Sequence, residues 1–233
     1  MDARTRQRIE NEAFELHKKI WRNLPDPKPK SVEELIGALD PVHAASLLGM
    51  KLAYLPELSV PYRKGNGMKK LGGIIDRQRN LIAVATNVKP STALFTAAHE
   101  LGHIVLHDDI VMHRDVPIEG GSSSNDGDPK EQEASFFAAC FLMPRNLTRK
   151  AFERCFNSSI PLVIDDNAAF YLSSHDPDAL LRAEHGSLAR ELAVATAERF
   201  GGTHFNSLAT QFGVSVTAMA IRLRELGLVK AWP

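Results

Sequence analysis

The sequence predicts an α+β fold followed by a small helical unit of helix-turn-helix type. Three observations carry that expectation. Two short β-rich runs, Ile74-Ile75 and Leu81-Ile82-Ala83-Val84, flank Asp76-Arg77-Gln78-Arg79-Asn80, which reads as a hairpin. Segments with helical periodicity lie on both sides of that hairpin. Near the end of the chain, two short apolar-patterned segments between Ser207 and Leu228 surround Gly213, as two helices joined by a turn would.

The elements follow in order. From Arg8 to Leu24, Ile9, Ala13, Leu16, Ile20 and Leu24 form one stripe opposite Arg, Glu and Lys side chains, the pattern of a surface helix docked on a body. Pro25-Asp26-Pro27-Lys28-Pro29-Lys30 must end it, because each proline removes a donor and restricts the residue before it. Ser31 with Glu34 forms a capping-box signal for a short helix. Asp40-Pro41 opens another, which ends near Gly49. After the hairpin, Pro90-Ser91-Thr92 supplies a helix start. The helix that follows is strongly apolar through Phe95, Ala98, Leu101, Gly102, Val105 and Leu106. Gly120 to Pro129 is rich in Gly, Ser, Asn and Asp and reads as a mobile loop. Glu131 to Met143 is helical and stops at Pro144, and Leu180 to Phe200 reads as one helix. These signals divide the chain into an N-terminal helix with a proline-rich linker (1–30), a central domain (31–160) and a helical C-terminal region (161–233).

Composition narrows the function classes. With 233 residues, the chain suffices for one good-sized core plus a small module. Acidic and basic side chains balance at 28 each, so no net field attracts nucleic acid or an anionic membrane. Only Cys140 and Cys155 occur, too few for a disulfide framework of the secreted kind, and Cys140 in its apolar run reads as a buried thiol. The N-terminal residues lack a signal-peptide pattern and no apolar stretch could span a bilayer. The expected location is the cytoplasm.

The chemistry is concentrated in His99-Glu100-Leu101-Gly102-His103. Residues four apart on a helix share a face, so the two imidazoles can meet one cation, with Glu100 beside them to hold and deprotonate a water. That is the physical content of the H-E-x-x-H pattern. A chance match on a surface helix is the competing reading. The apolar surroundings, from Phe95 to His107, weigh against it, since unpaired ionisable groups on a buried helix are costly.

Catalytic zinc takes three protein ligands. Asp109 is six residues after His103 and no glycine intervenes, so the metzincin arrangement fails. His107 continues the four-residue series, but three ligands along one straight helix cannot easily surround one ion, and His107 reads as an outer or helix-end histidine. A carboxylate from the helix Glu131 to Met143 is the better source. Glu131 shares a face with Ser135, while Glu133 is rotated by roughly half a turn. Only one of the two acids can comfortably face the metal.

With these residues in view, the sequence resembles the ImmA/IrrE family of metallopeptidases. The resemblance rests on Gly73-Ile74-Ile75-Asp76, on Phe95 to His103 with Leu106-His107, and on Glu131-x-x-Ala134 with Phe137-Ala138 and Leu142-Met143-Pro144. It implies a zincin-like minimal metallopeptidase domain with His99 and His103 as zinc ligands, Glu100 as general base and Glu131 as third ligand. One zinc per chain is expected, for which manganese or iron could substitute. The family usually has Asn or Asp where this chain has Ser135, which can hydrogen-bond a ligand histidine without supplying charge. Family members cut helix-turn-helix repressors and so release stress-response or mobile-element genes. A similar substrate is therefore implied here.

Leu208 to Val229 has the features of a helix-turn-helix: Ala209 for close approach, Gly213 for the turn, and Ser215 as the second N-cap. From Thr203 onward, Arg222, Arg224 and Lys230 stand against Glu225. That is little charge for neutralising phosphates, so a helical unit packed on the peptidase body is expected before a DNA contact. The function expected is zinc-dependent, limited cleavage of a protein regulator. The alternative is a DNA-binding or protein-binding regulator whose peptidase-like part is catalytically idle.

Overall fold

The computed structural model describes residues 1–61, 68–108, 112–115, 128–158 and 160–232. The loop expected at Gly120 to Pro129 lies outside them up to residue 127. The chain divides into two units, Met1–Leu142 and Met143–Pro233, each a mixture of helices and short strands.

In the first unit, helix α1 (Ala3–Asn23) starts at Asp2, whose side chain accepts from the Thr5 amide, and buries Ile9, Ala13, Leu16, His17 and Ile20. Four of those five belong to the apolar stripe. Helix α2 (Val32–Gly37) carries the expected capping box, with Ser31 and Glu34 each bonded to the other's backbone. Helix α3 (Pro41–Leu47) has Asp40 as N-cap and Pro41 in its first turn. Strands β1 (Lys51–Leu55), β2 (Leu58–Pro61), β3 (Met68–Leu71), β4 (Gly73–Asp76) and β5 (Leu81–Ala85) follow, then α4 (Pro90–Leu106), β6 (Met112–Asp115) and α5 (Pro129–Leu142).

The main sheet has the order β1-β5-β4-β6. The hairpin is present as antiparallel β4 and β5, with Ile75 opposite Ile82, and Asn80 takes the left-handed conformation its turn needs (φ 51°). β5 also pairs in parallel with β1, so it is internal to the sheet. As the second strand of a hairpin alone, Leu81 to Thr86 would be expected to offer an open edge to an extended peptide; the pairing with β1 corrects that expectation. Among the described residues, the strand order leaves β1 and β6 as the edges of this sheet. The reason is visible in the burial of β5: Ile82, Ala83, Val84 and Ala85 are all buried, so both faces are covered, as suits a central strand. Ala83 and Ala85 pack with Leu58 and Leu71 on one face.

Helix α4 is buried on all sides, without interruption from Phe95 to Ile104. Its closest neighbour is α5, and the approach is set by Gly102. A Cβ there would lie 3.0 Å from both the Cα and the carbonyl oxygen of Ala134. The glycine of the histidine motif and the alanine of Glu131-x-x-Ala134 thus meet, which lets two helices carrying polar groups come close enough to share them.

The second unit contains α6 (Arg145–Phe156), β7 (Leu162–Ile164), α7 (Asp166–Leu172), α8 (Pro177–Leu181), α9 (Ala189–Thr196), β8 (Arg199–Phe200), β9 (Thr203–His204), α10 (Leu208–Gln211), α11 (Val216–Glu225) and β10 (Val229–Ala231). Leu180 to Phe200 is not one helix. It ends α8, breaks at Gly186 (φ 94°) and resumes as α9, with Arg199-Phe200 in a hairpin closed by Gly201 and Gly202. Side chains satisfy the backbone at the break. Arg190 donates to the carbonyls of Leu181 and Ala183, while Arg224 donates to those of Gly186 and Ser187. Long-range partners outweigh local helical periodicity here.

Leu208 to Val229 holds the local elements expected there: α10, a turn at Gly213 (φ 64°), and α11 capped by Ser215. Its arginines are committed internally. Arg222 is 2% exposed, donates from Nε to the Met143 carbonyl at 3.0 Å, and pairs with Glu225. Arg224 pairs with Glu191. No helix among the described residues is long and apolar enough to cross a membrane.

Candidate metal centre

The site is built where α4 and α5 touch. His99 and His103, one turn apart on α4, turn the same way, and Glu131 enters from the first turn of α5. The helix starts two residues earlier than the sequence suggests, at Pro129, with the Asp128 carboxylate accepting from the Lys130 amide. All three side chains are at most 2% exposed. His99 Nε2 and His103 Nε2 are 3.1 Å apart. Glu131 brings Oε2 to 3.3 Å from His99 Nε2 and Oε1 to 3.4 Å from His103 Nε2.

These separations test whether a metal fits. Bonds of about 2.0–2.1 Å in tetrahedral geometry place neighbouring ligand atoms about 3.3 Å apart. The observed separations cluster at that value. Two imidazole nitrogens facing each other beside a carboxylate, away from water, also call for a cation or a proton between them. His99, His103 and Glu131 can therefore hold a metal ion, and two nitrogens with one oxygen form a donor set suited to zinc.

The other singled-out residues surround this triad. Glu100 is fully buried on α4, with its carboxylate against Gly73 of β4; a Cβ on that glycine would come within 1.8 Å of Oε1. Ser135 Oγ lies 3.2 Å from His99 Nδ1, so the residue four places after Glu131 contacts the outer nitrogen of a ligand histidine. His107 is the C-cap of α4, and its Nδ1 is 3.0 Å from His103 Nδ1. Glu133 is not one of the residues whose ligand atoms cluster. It faces His107 Nε2 at 3.5 Å and pairs with Arg8 at 2.8 Å.

Three residues with no role assigned from sequence also matter. Gly73 is the first; a glycine inside a β-run signals close approach of another group, here Glu100. Arg77, in the hairpin turn, donates to the carbonyls of His103, Ile104 and His107 at 2.9–3.1 Å. It thereby satisfies the open C-terminal end of the motif helix. Arg8 of α1 is the third, and nothing local in the sequence could have found it.

No curated protein is similar enough to the chain to count as a match. A family model does match, over a segment that contains Gly73, the motif helix and Glu131. That model describes the IrrE N-terminal-like domain of peptidase family M78 and matches residues 56–159, in agreement with the resemblance of their motifs.

Proposed function

We propose that this protein is a zinc-dependent endopeptidase that makes limited cuts in a protein regulator, with Glu100 as general base. The observation that carries the reading is the convergence of His99, His103 and Glu131 at ligand–ligand separations beside a buried carboxylate. Zinc held there would polarise a peptide carbonyl and make a water acidic enough to lose its proton near neutral pH. Glu100 accepts that proton and delivers it to the leaving nitrogen. Gly73 leaves the room its carboxylate needs. Ser135 and His107 hold the two ligand imidazoles from behind.

Substrate selection follows from the sheet. β6 is the edge strand beside β4, and its Asp115 is registered against Gly73. An extended peptide adding to β6, the β-augmentation mode of recognition, would lie one strand beyond β4, whose Gly73 bears on Glu100. The substrate proposed is a helix-turn-helix repressor, on the strength of the family resemblance and the domain match. The engagement of Arg222 and Arg224 inside the second unit supports a structural role for that unit over reading of DNA.

Incubation of the zinc-loaded chain with casein and with a co-encoded repressor, followed by fragment mass mapping, tests this. One cut in the repressor and little degradation of casein are expected. Glu100→Gln should bind zinc and the repressor yet leave both proteins whole. Many cuts in casein would refute the regulatory reading, and full activity of Glu100→Gln would refute the mechanism.

A further inference from the structure

A line of contacts runs outward from His103 through His107 to two residues that the proposed chemistry does not use, Glu133 and Arg8. His103 Nδ1 meets His107 Nδ1 at 3.0 Å, His107 Nε2 faces Glu133 Oε2 at 3.5 Å, and Glu133 Oε2 accepts from Arg8 Nη2 at 2.8 Å. The first three residues belong to the segment matched by the family model, whereas Arg8 sits on α1, far outside it.

The donors and acceptors along this line have one consistent assignment. A His103 that gives Nε2 to a metal keeps its proton on Nδ1 and donates it to His107 Nδ1. His107 must then carry its own proton on Nε2, the nitrogen that stands at ion-pair distance, 3.5 Å, from Glu133 Oε2. Glu133, an acceptor only, is oriented by the Arg8 guanidinium. The two imidazole N–H groups then lie on the side away from the metal, while Arg8 donates inward to the same Glu133 oxygen that lies near His107. Ligand histidines are held in this way by outer partners, and loss of such a partner weakens metal binding by about 10- to 100-fold.

We infer that Arg8, through Glu133 and His107, is a positioning residue that sets the tautomer and ring orientation of His103, so that helix α1 is a working part of the metal centre. The inference rests on the metal-centre reading above. It distinguishes His103 from His99, whose outer partner Ser135 is on the helix that also supplies Glu131. His103, by contrast, is linked to a residue of the chain's N-terminal helix. Arg8 suits a clean test because its side chain is 48% exposed, and exposed ion pairs contribute little to folding stability.

The test uses the full-length chain as wild type, Arg8→Met, Arg8→Lys and, as a control at the far end of α1, Arg22→Met. Zinc affinity is measured by competition with a chelator, and ligand geometry by the visible spectrum of the cobalt(II) form. Arg8→Met should bind zinc roughly threefold or more weakly, a smaller loss than for a direct partner. Its cobalt spectrum should shift while the metal-free protein melts as wild type does. Arg8→Lys should recover most of the affinity, and Arg22→Met should match wild type. Wild-type affinity and spectrum in Arg8→Met would overturn the inference, as would an equal loss in Arg22→Met. A wild-type chain that takes up neither zinc nor cobalt would overturn the metal-centre reading and this inference with it.

Discussion

Gly73 on β4 and Glu100 on α4 are in such close contact that a Cβ at residue 73 would lie 1.8 Å from Glu100 Oε1 and 2.9 Å from its Cγ. No bonded or van der Waals arrangement tolerates the shorter distance, so any side chain there must displace the carboxylate. Strand and helix are thereby fitted to one another around the proposed general base.

Gly73→Ala should therefore behave as a variant of Glu100. Zinc content should stay near wild type, because neither His99, His103 nor Glu131 is displaced directly. Cleavage of the repressor should fall by about 100-fold or more, the usual contribution of a general base. Metal analysis paired with kcat/KM checks this, and a fully active Gly73→Ala would show that Glu100 has no fixed role.

The two acids at the start of α5 should separate sharply. Glu131→Gln removes one of three proposed ligands and should lose most of its metal, as should His99→Ala or His103→Ala. Glu133→Gln should retain metal and activity, since Glu133 is not one of the proposed ligands and the amide oxygen can still accept from Arg8. Zinc titration of the purified variants decides the matter, and the reverse ranking would transfer the ligand role to Glu133.

Gly102→Ala tests the helix contact on which the site depends. Its Cβ would sit 3.0 Å from the Ala134 backbone and 3.3 Å from the Ala134 Cβ. Backbone cannot move aside as a flexible side chain can, so α4 and α5 must separate. A loss of stability of about 1–3 kcal/mol is expected, accompanied by weaker zinc binding as Glu131 withdraws. Denaturant unfolding of the metal-free chain and zinc titration measure the two effects separately.

His17 makes stability sensitive to acid. Burial pushes its pKa from 6.5 down to about 4, only partly opposed by its hydrogen bond to the Phe141 carbonyl. The folded chain therefore holds the imidazole neutral, while the unfolded chain protonates it near 6.5. Its contribution is fully present above pH 6.5 and is lost as the pH falls toward 4, a total of roughly 3 kcal/mol. Urea unfolding across that window should show a decline that flattens in His17→Gln. A decline of equal slope in the variant would assign the effect to other groups.

The sequence was informative where a property is local. Helix starts at Asp40-Pro41 and Pro90, the capping box of Ser31 and Glu34, and the hairpin around Asp76 to Asn80 each depend on a few neighbouring residues. The same is true of His99, Glu100 and His103, because one turn of helix suffices to align them. Leu180 to Phe200 misled because its helical periodicity is real, yet carbonyls at the break are taken by Arg190 and the distant Arg224.

By itself, then, the sequence placed two histidines and a carboxylate on one buried helix and pointed to an acid of a later helix as their candidate partner. Only the tertiary structure decided that β5 is an inner strand, that Gly73 makes room for Glu100, and that Arg8 reaches the line of side chains behind His103. The physical reason is range. Helix phase and capping are governed by hydrogen bonds spanning three or four residues, whereas strand order, close approach and the Arg8–Glu133 pair join groups that meet only once the core has packed.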